Sequence, residues 1–210
     1  MGFDPTLYLV TDPRLGAPRP LVETVAAAVS GGVTLVQLRD PDAPTRALVE
    51  TARALVALLR PLGVPLIVND RVDVALAADA DGVHVGQSDM HPSDARALIG
   101  PDRILGLSIT DASEMRPADL APVDYIGVGP IYLQATKPNA APPIGPEGLT
   151  AIRALTRLPI VAIGGVGPAN AEVLIRAGAD GLSVVSALMA APDPAMAARV
   201  LTAAIARARG

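Results

Sequence analysis

From end to end the chain alternates between short β-branched runs and longer segments rich in Ala, Leu and Arg, and it does so eight times. The short runs, read as strands, fall at 7–11, 34–39, 65–69, 82–85, 104–108, 125–129, 160–163 and 181–185. Their apolar residues are near-continuous rather than alternating, the pattern of strands covered on both faces, as in a parallel sheet. The intervening segments, read as helices, fall at 21–30, 45–59, 72–78, 93–99, 112–120, 148–156, 169–177 and 195–208. Pro44-Thr45, Pro92-Ser93 and Pro168 with Asn170 mark starts, and Gly31, Gly63, Gly100 and Gly178 mark ends where a left-handed cap is expected. Eight alternating units predict an α/β fold, a closed (β/α)₈ barrel, with an open doubly wound sheet as the alternative the periodicity leaves. At 210 residues the chain is near the lower limit for a barrel, so connections must be short. No linker divides it, and one domain over 1–210 is expected. The junction Asp79-Ala80-Asp81-Gly82-Val83 resembles Gly178-Ala179-Asp180-Gly181-Leu182, with Gly31-Gly32-Val33-Thr34-Leu35 a looser copy, which points to one repeated structural unit.

Composition removes several classes of function. There are no cysteines, so thiol nucleophiles, thiolate metal sites and disulfides are excluded together. Acidic residues outnumber basic ones 21 to 17, which disfavours a surface that coats nucleic acid. The aromatic residues, Phe3, Tyr8, Tyr125 and Tyr132, are too few for a base-stacking platform. No apolar run reaches the ~20 residues of a membrane span, and no basic stretch followed by an apolar core opens the chain. A cytoplasmic protein acting on small molecules, without nucleic-acid or membrane partners, is expected. A homo-oligomer is possible but not readable from the sequence.

In a barrel, chemistry collects where strands end, and there the polar residues are concentrated. Gln37 and Arg39 are two apart on one strand and therefore share a face. The planar guanidinium fork suits phosphate oxygens, although Arg39 could equally pair with Asp40 or Asp42 at the surface. Asp70 and Asp89 follow adjacent strands, and two carboxylates beside cations fit a magnesium–diphosphate site. Their plainer roles are a helix N-cap for Asp70 and a turn for Asp89. Gly164-Gly165-Val166-Gly167-Pro168, after a strand and before a helix, matches the barrel phosphate site between strands seven and eight, together with Val185-Ser186. Its spacing is not that of a dinucleotide fingerprint. His84, flanked by valines, reads as a hydrogen-bonded interior residue, and His91 as a loop residue. Neither has partners at zinc-ligand spacing. The long irregular stretch 130–146 carries five prolines and Lys137, and is expected to be an active-site loop.

Taken together, Gln37-Leu38-Arg39-Asp40, Val68-Asn69-Asp70, Asp81 through Gln87 with Asp89, Gly106-Leu107-Ser108, Gly127 through Tyr132, Thr136-Lys137, Ile163-Gly164-Gly165 and Ala177 through Gly181 with Val185-Ser186 resemble the thiamine phosphate synthase family. The resemblance runs across essentially the whole chain. It implies a (β/α)₈ transferase that condenses 4-amino-2-methyl-5-(diphosphooxymethyl)pyrimidine with thiazole phosphate, or its carboxylated form, giving thiamine monophosphate and diphosphate. It implies Mg²⁺ on Asp70 and Asp89. Gln37, Leu38, Arg39, Asp40, Pro41, Asn69, Ser108 and Lys137 would hold the pyrimidine diphosphate, with Arg39, Lys137 and Ser108 closest to the chemistry. Gln134, Ala135, Thr136, Gly165, Val185 and Ser186 would line the thiazole phosphate site. Two positions depart from the family: Pro41 stands where a lysine is usual, and Gln134 where a threonine is. A related thiazole tautomerase carries a histidine just past the sixth strand, where this chain has Gly129-Pro130. A barrel that binds a phosphorylated metabolite without turnover is the third reading.

Overall fold

The computed structural model describes residues 2–16, 19–133 and 142–210. Eight parallel strands close into a barrel in sequence order: β1 (Leu7–Val10), β2 (Leu35–Leu38), β3 (Leu66–Asn69), β4 (Gly82–Val85), β5 (Ile104–Ile109), β6 (Tyr125–Val128), β7 (Ile160–Ala162) and β8 (Gly181–Val184). Closure comes from β1 pairing with β8, with Tyr8 opposite Ser183. Around it lie α1 (Pro13–Gly16), α2 (Leu21–Ser30), α3 (Thr45–Leu59), α4 (Val72–Ala78), α5 (Pro92–Ile99), α6 (Pro117–Leu120), α7 (Gly145–Arg153), α8 (Ala171–Arg176), α9 (Ser186–Met189) and α10 (Pro194–Arg209). The closed barrel removes the open-sheet alternative.

Because successive strand residues face opposite ways, six of the eight strands feed two cores, while β4 and β8 turn only glycine and polar residues inward. Leu7, Leu9, Val36, Leu38, Val68, Val83, Val85, Leu105, Leu107, Ile126, Val128, Leu182 and Val184 point outward into the main apolar layer beneath the helices. Tyr8, Leu35, Ile67, Ile104, Tyr125 and Val161 point inward and fill the lower barrel, with Phe3 packed against them. Three of the four aromatic residues thus meet at one place. Above this plug the inward residues turn polar, and that change of character makes the site.

The recurring junctions have a structural cause. Asp81 accepts a hydrogen bond from the first amide of β3 (Leu66 N, 2.8 Å), Asp124 from the second amide of β5 (Leu105 N, 2.7 Å), and Asp180 from the first amide of β7 (Ile160 N, 2.8 Å). Thr34 does the same for Leu7 of β1 at 3.1 Å. In each case the same residue's own amide donates to the capped residue's carbonyl. The barrel is therefore built from four pairs of strands, each locked at its lower end by one device.

Several expectations are corrected. The segment 112–120 is not one helix but a 3₁₀ turn (Ala112–Glu114) followed by α6. Pro117 lacks an N–H and clashes with a preceding turn, so it begins a helix instead of continuing one. α7 begins at Gly145-Pro146 and ends at Arg153, so it is shifted towards the N-terminus of 148–156. Gly31 is not left-handed (φ −91°), and the following Gly32 (φ 112°) makes that turn. Gly31 is small for a different reason: a Cβ there would lie 2.2 Å from the carbonyl oxygen of Ala195 on α10. The short helices α1 and α9 were not expected, being too short for periodicity to reveal.

Candidate active site

At the C-terminal mouth of the barrel lies a cavity of about 160 Å³, lined among others by Tyr8, Gln37, Arg39, Asn69, His84, Ser108, Tyr125 and Ser183. A cavity of roughly 150 Å³ holds a benzene ring, so a single six-membered heterocycle fits this one. The lining residues come from all eight strands or their ends, and those within strands are inward by parity. Gln37 and Arg39 do share a face, as their spacing requires, and both line the cavity. Thr11 fixes where Arg39 sits: its hydroxyl accepts from Arg39 N (2.9 Å) and donates to Arg39 O (3.1 Å). Among the described residues Arg39 forms no salt bridge with Asp40 or Asp42. Its charge instead helps hold down the carboxyl groups of Asp12 and Asp70. Asp12, buried beside the cavity, accepts two hydrogen bonds from the Arg14 guanidinium (2.9 and 2.8 Å), which keep its carboxyl below the usual range.

A row of hydrogen bonds crosses the cavity floor. Gln37 Nε2 donates to Tyr8 Oη (2.7 Å), Tyr8 Oη meets Tyr125 Oη (2.9 Å), Tyr125 Oη meets His84 Nδ1 (2.9 Å), and His84 Nε2 meets Ser108 Oγ (2.9 Å). His84 is the hydrogen-bonded interior residue that its valine neighbours predicted. Burial pushes both phenols well above their usual pKa, so they stay protonated. Gly106, between His84 and Tyr125 in the sheet register, makes this possible. A Cβ at Gly106 would stand 2.3 Å from Tyr125 Cζ and 2.4 Å from His84 Nδ1. Ser183, 3% exposed, also faces the cavity, and its hydroxyl makes no hydrogen bond among the described residues.

Asp70 and Asp89 come together at the rim. Asp70 sits in a left-handed conformation (φ 60°) and accepts from Asn69 Nδ2 (2.6 Å). It does not cap α4, whose N-cap residue is Arg71. Asp89 closes its own turn by accepting from Gly86 N (2.8 Å) while lying against Asp70. Desolvation among the strand ends, then the negative charge of Asp89, raises Asp70 to about 6. Two carboxylates forced together in this way form a charge pair that a divalent cation would relieve. No cluster of three or more His, Asp or Glu is present among the described residues, so other oxygens would have to complete a coordination shell.

On the opposite side of the mouth, Gly164 (φ 95°) and Gly165 (φ 68°) bring the chain against the end of β6. A Cβ at Gly164 would lie 2.6 Å from Pro130 Cα, and one at Gly165 would lie 2.7 Å from Tyr132 Cβ. The helix expected directly after this turn begins only at Ala171. Asn170 occupies the interval, accepting from Gly167 N and donating to Gly165 O, both at 2.9 Å. Val185 lines the cavity, and Ser186 opens α9 at the surface beside it.

Of the remaining expected residues, Leu38 points outward into the apolar layer, so its side chain is not in the cavity. Asp40 lies partly covered and Pro41 exposed on the turn beyond β2. Gln134, Ala135, Thr136 and Lys137, with 138–141 of the expected active-site loop, lie outside the described residues. Tyr8, Tyr125 and Ser183 were not expected as site residues, because they lie within the strands and below their polar ends. Their signal was parity: each shares a strand face with a residue at the mouth.

Residues 7–188 match the family model described as thiamine monophosphate synthase. The chain is 64% identical over 207 residues to the thiamine-phosphate synthase of Xanthobacter autotrophicus, covering 99% of this chain and 98% of that one. It is 56% identical over 207 residues to that of Azorhizobium caulinodans, with the same coverage. Among solved structures, a thiamine phosphate pyrophosphorylase from Pyrococcus furiosus superposes with a TM-score of 0.88 at 38% identity, covering 99% of this chain and 98% of the other. With the barrel, the mouth cavity and these relatives in agreement, the chain belongs to the thiamine monophosphate synthase family of transferases.

Proposed function

We propose that this barrel, working as one domain in the cytoplasm, joins the pyrimidinylmethyl group of 4-amino-2-methyl-5-(diphosphooxymethyl)pyrimidine to thiazole phosphate, releasing diphosphate. The observation that carries the reading is one juxtaposition. A ring-sized cavity with polar contacts (Gln37, Ser108) opens directly beside Arg39, Asn69 and the Asp70–Asp89 pair. The ring would lie in the cavity and the diphosphate at the rim. Asp70 and Asp89 would hold Mg²⁺, which supplies neutralisation of the charge that builds on a departing diphosphate. Arg39 adds a fixed guanidinium for the same charge, and Lys137 is proposed as a second cation.

The reaction needs no base. As the bond between the exocyclic carbon and the diphosphate oxygen breaks, the ring amino group feeds electrons to that carbon. The thiazole nitrogen then uses its own lone pair to form the new C–N bond. The chain's residues bind and orient, and the cavity limits water that would capture the electron-poor carbon. Gly164-Gly165, Val185 and Ser186, with Gln134, Ala135 and Thr136, are proposed to hold the thiazole phosphate. In support, the amides of Gly165 and Val166 make no hydrogen bond among the described residues. Incubating the protein with both substrates, with and without Mg²⁺, and assaying thiamine monophosphate tests the reading. Metal-dependent product is expected, and absence of product at any metal concentration would overturn it.

A further inference from the structure

The row of hydrogen bonds across the cavity floor can be assigned proton by proton. Gln37 Nε2 has protons only to give, so Tyr8 Oη accepts from it. Each phenol is protonated and has one proton. If Tyr125 gave its proton to Tyr8, Tyr8 would accept twice, and its own proton, on a side chain 2% exposed, would have no acceptor among the described residues, whereas in the opposite order the proton left over belongs to the half-buried Ser108. A buried donor without an acceptor is costly, so the favoured order is Tyr8 to Tyr125. Tyr125 must then donate to His84 Nδ1. A neutral imidazole that accepts at Nδ1 carries its proton on Nε2, and that proton goes to Ser108 Oγ. The hydroxyl proton of Ser108 is left pointing out of the row, and Ser108 lines the cavity. At the other end, Gln37 presents its carbonyl oxygen.

We propose that Tyr8, Tyr125 and His84 are positioning residues: a one-way hydrogen-bond chain that fixes Ser108 as a donor, and Gln37 as an acceptor, toward a ring bound in the cavity. A ring offering an acceptor nitrogen to Ser108 and an amino group to Gln37 is read correctly, and one with the opposite pattern faces donor against donor. The aminopyrimidine of the preceding section has the matching pattern, so the ligand assignment rests on that reading. The chain spans 117 residues of sequence between Tyr8 and Tyr125 alone, and Gly106 leaves it space. Hydrogen bonding to a ring nitrogen is available before bond cleavage and weakens as the ring loses electron density. The chain therefore acts on substrate binding more than on the chemical step.

The test begins with ¹⁵N NMR of the substrate-free full chain labelled at histidine. Only two histidines exist, and His91→Asn leaves the signals of His84 alone. The expected result is a neutral ring with its proton on Nε2. A ring protonated on Nδ1, or on both nitrogens, overturns the direction of the chain, whatever the substrates prove to be. The second arm uses Tyr125→Phe, which removes the central hydroxyl and little volume. The KM for the pyrimidine diphosphate should rise about tenfold, with kcat changed less than about threefold and the thiazole phosphate KM unchanged. His84 in that variant should show both tautomers. Equal loss in every kinetic parameter, or no loss in any, overturns the positioning role. Failure of wild-type protein to turn over would count against the proposed reaction only, because the tautomer is read without substrate.

Discussion

Replacing Asp70 with Asn sets stability against metal binding in one experiment. Asp70 is raised from the ordinary 3.8 to about 6 by desolvation and by Asp89, so the ionised form is disfavoured in the folded protein. A shift of that size is worth ~3 kcal/mol at roughly 1.36 kcal/mol per pH unit, but Asp70 is open to solvent at the rim, and screening reduces this to about 1 kcal/mol. Asn keeps an oxygen for Asn69 and tolerates a φ of 60° at least as well as Asp does. Metal-free Asp70→Asn at pH 7.5 should therefore melt about 2–4 °C higher than wild type. A carboxyl with a raised folded-state pKa contributes stability that is complete below its unfolded value and lost as pH rises through about 6. The advantage of the variant should accordingly shrink between pH 7.5 and pH 5. Magnesium reverses the order. Wild type should gain ~1.4 kcal/mol at ten times its Kd, whereas the variant, having lost one of two charges, should gain little. Turnover should fall by orders of magnitude. Differential scanning calorimetry in chelator and in magnesium, at the two pH values, reads all of this. A variant that is no more stable in chelator, yet shifts with magnesium as wild type does, would refute both the charge pair and the metal assignment.

Gly106→Ala should destabilise by ~3 kcal/mol or more, since its methyl group would overlap Tyr125 and His84; chemical denaturation measures it, and a loss below about 0.5 kcal/mol would mean that the floor repacks freely. Pro41→Lys restores the cation usual in the family on an exposed turn, and should lower the KM for the pyrimidine diphosphate, the contact being worth ~1–3 kcal/mol. An unchanged KM would show that another residue already fills that role. Ser183→Ala removes a buried hydroxyl that makes no hydrogen bond among the described residues, so unfolding free energy should stay level or rise by up to about 1 kcal/mol; a loss above 1 kcal/mol would reveal a partner for that hydroxyl.

The sequence by itself determined the eight strand–helix units and most of their boundaries, because hydrophobic periodicity and turn chemistry are local and eight repetitions reinforce one another; closure into a barrel rather than an open sheet was decided by the pairing of β1 with β8. It also determined which polar residues stand at the strand ends, and Gln37 with Arg39 needed nothing beyond parity. Proline chemistry at position 117 is equally local, yet 112–120 was expected as one helix and the structure splits it there. What only the tertiary structure decided is which inward side chains meet. Tyr8, His84 and Tyr125 lie on β1, β4 and β6, and their contact depends on barrel closure, on the stagger between strands and on the absent side chain of Gly106. The left-handed backbone of Asp70 and its closeness to Asp89 likewise follow from how strand ends are staggered around the mouth, whereas the outward turn of Leu38 follows from parity alone. Periodicity records which face a residue takes, but distances across a barrel are set by packing among segments far apart in the chain.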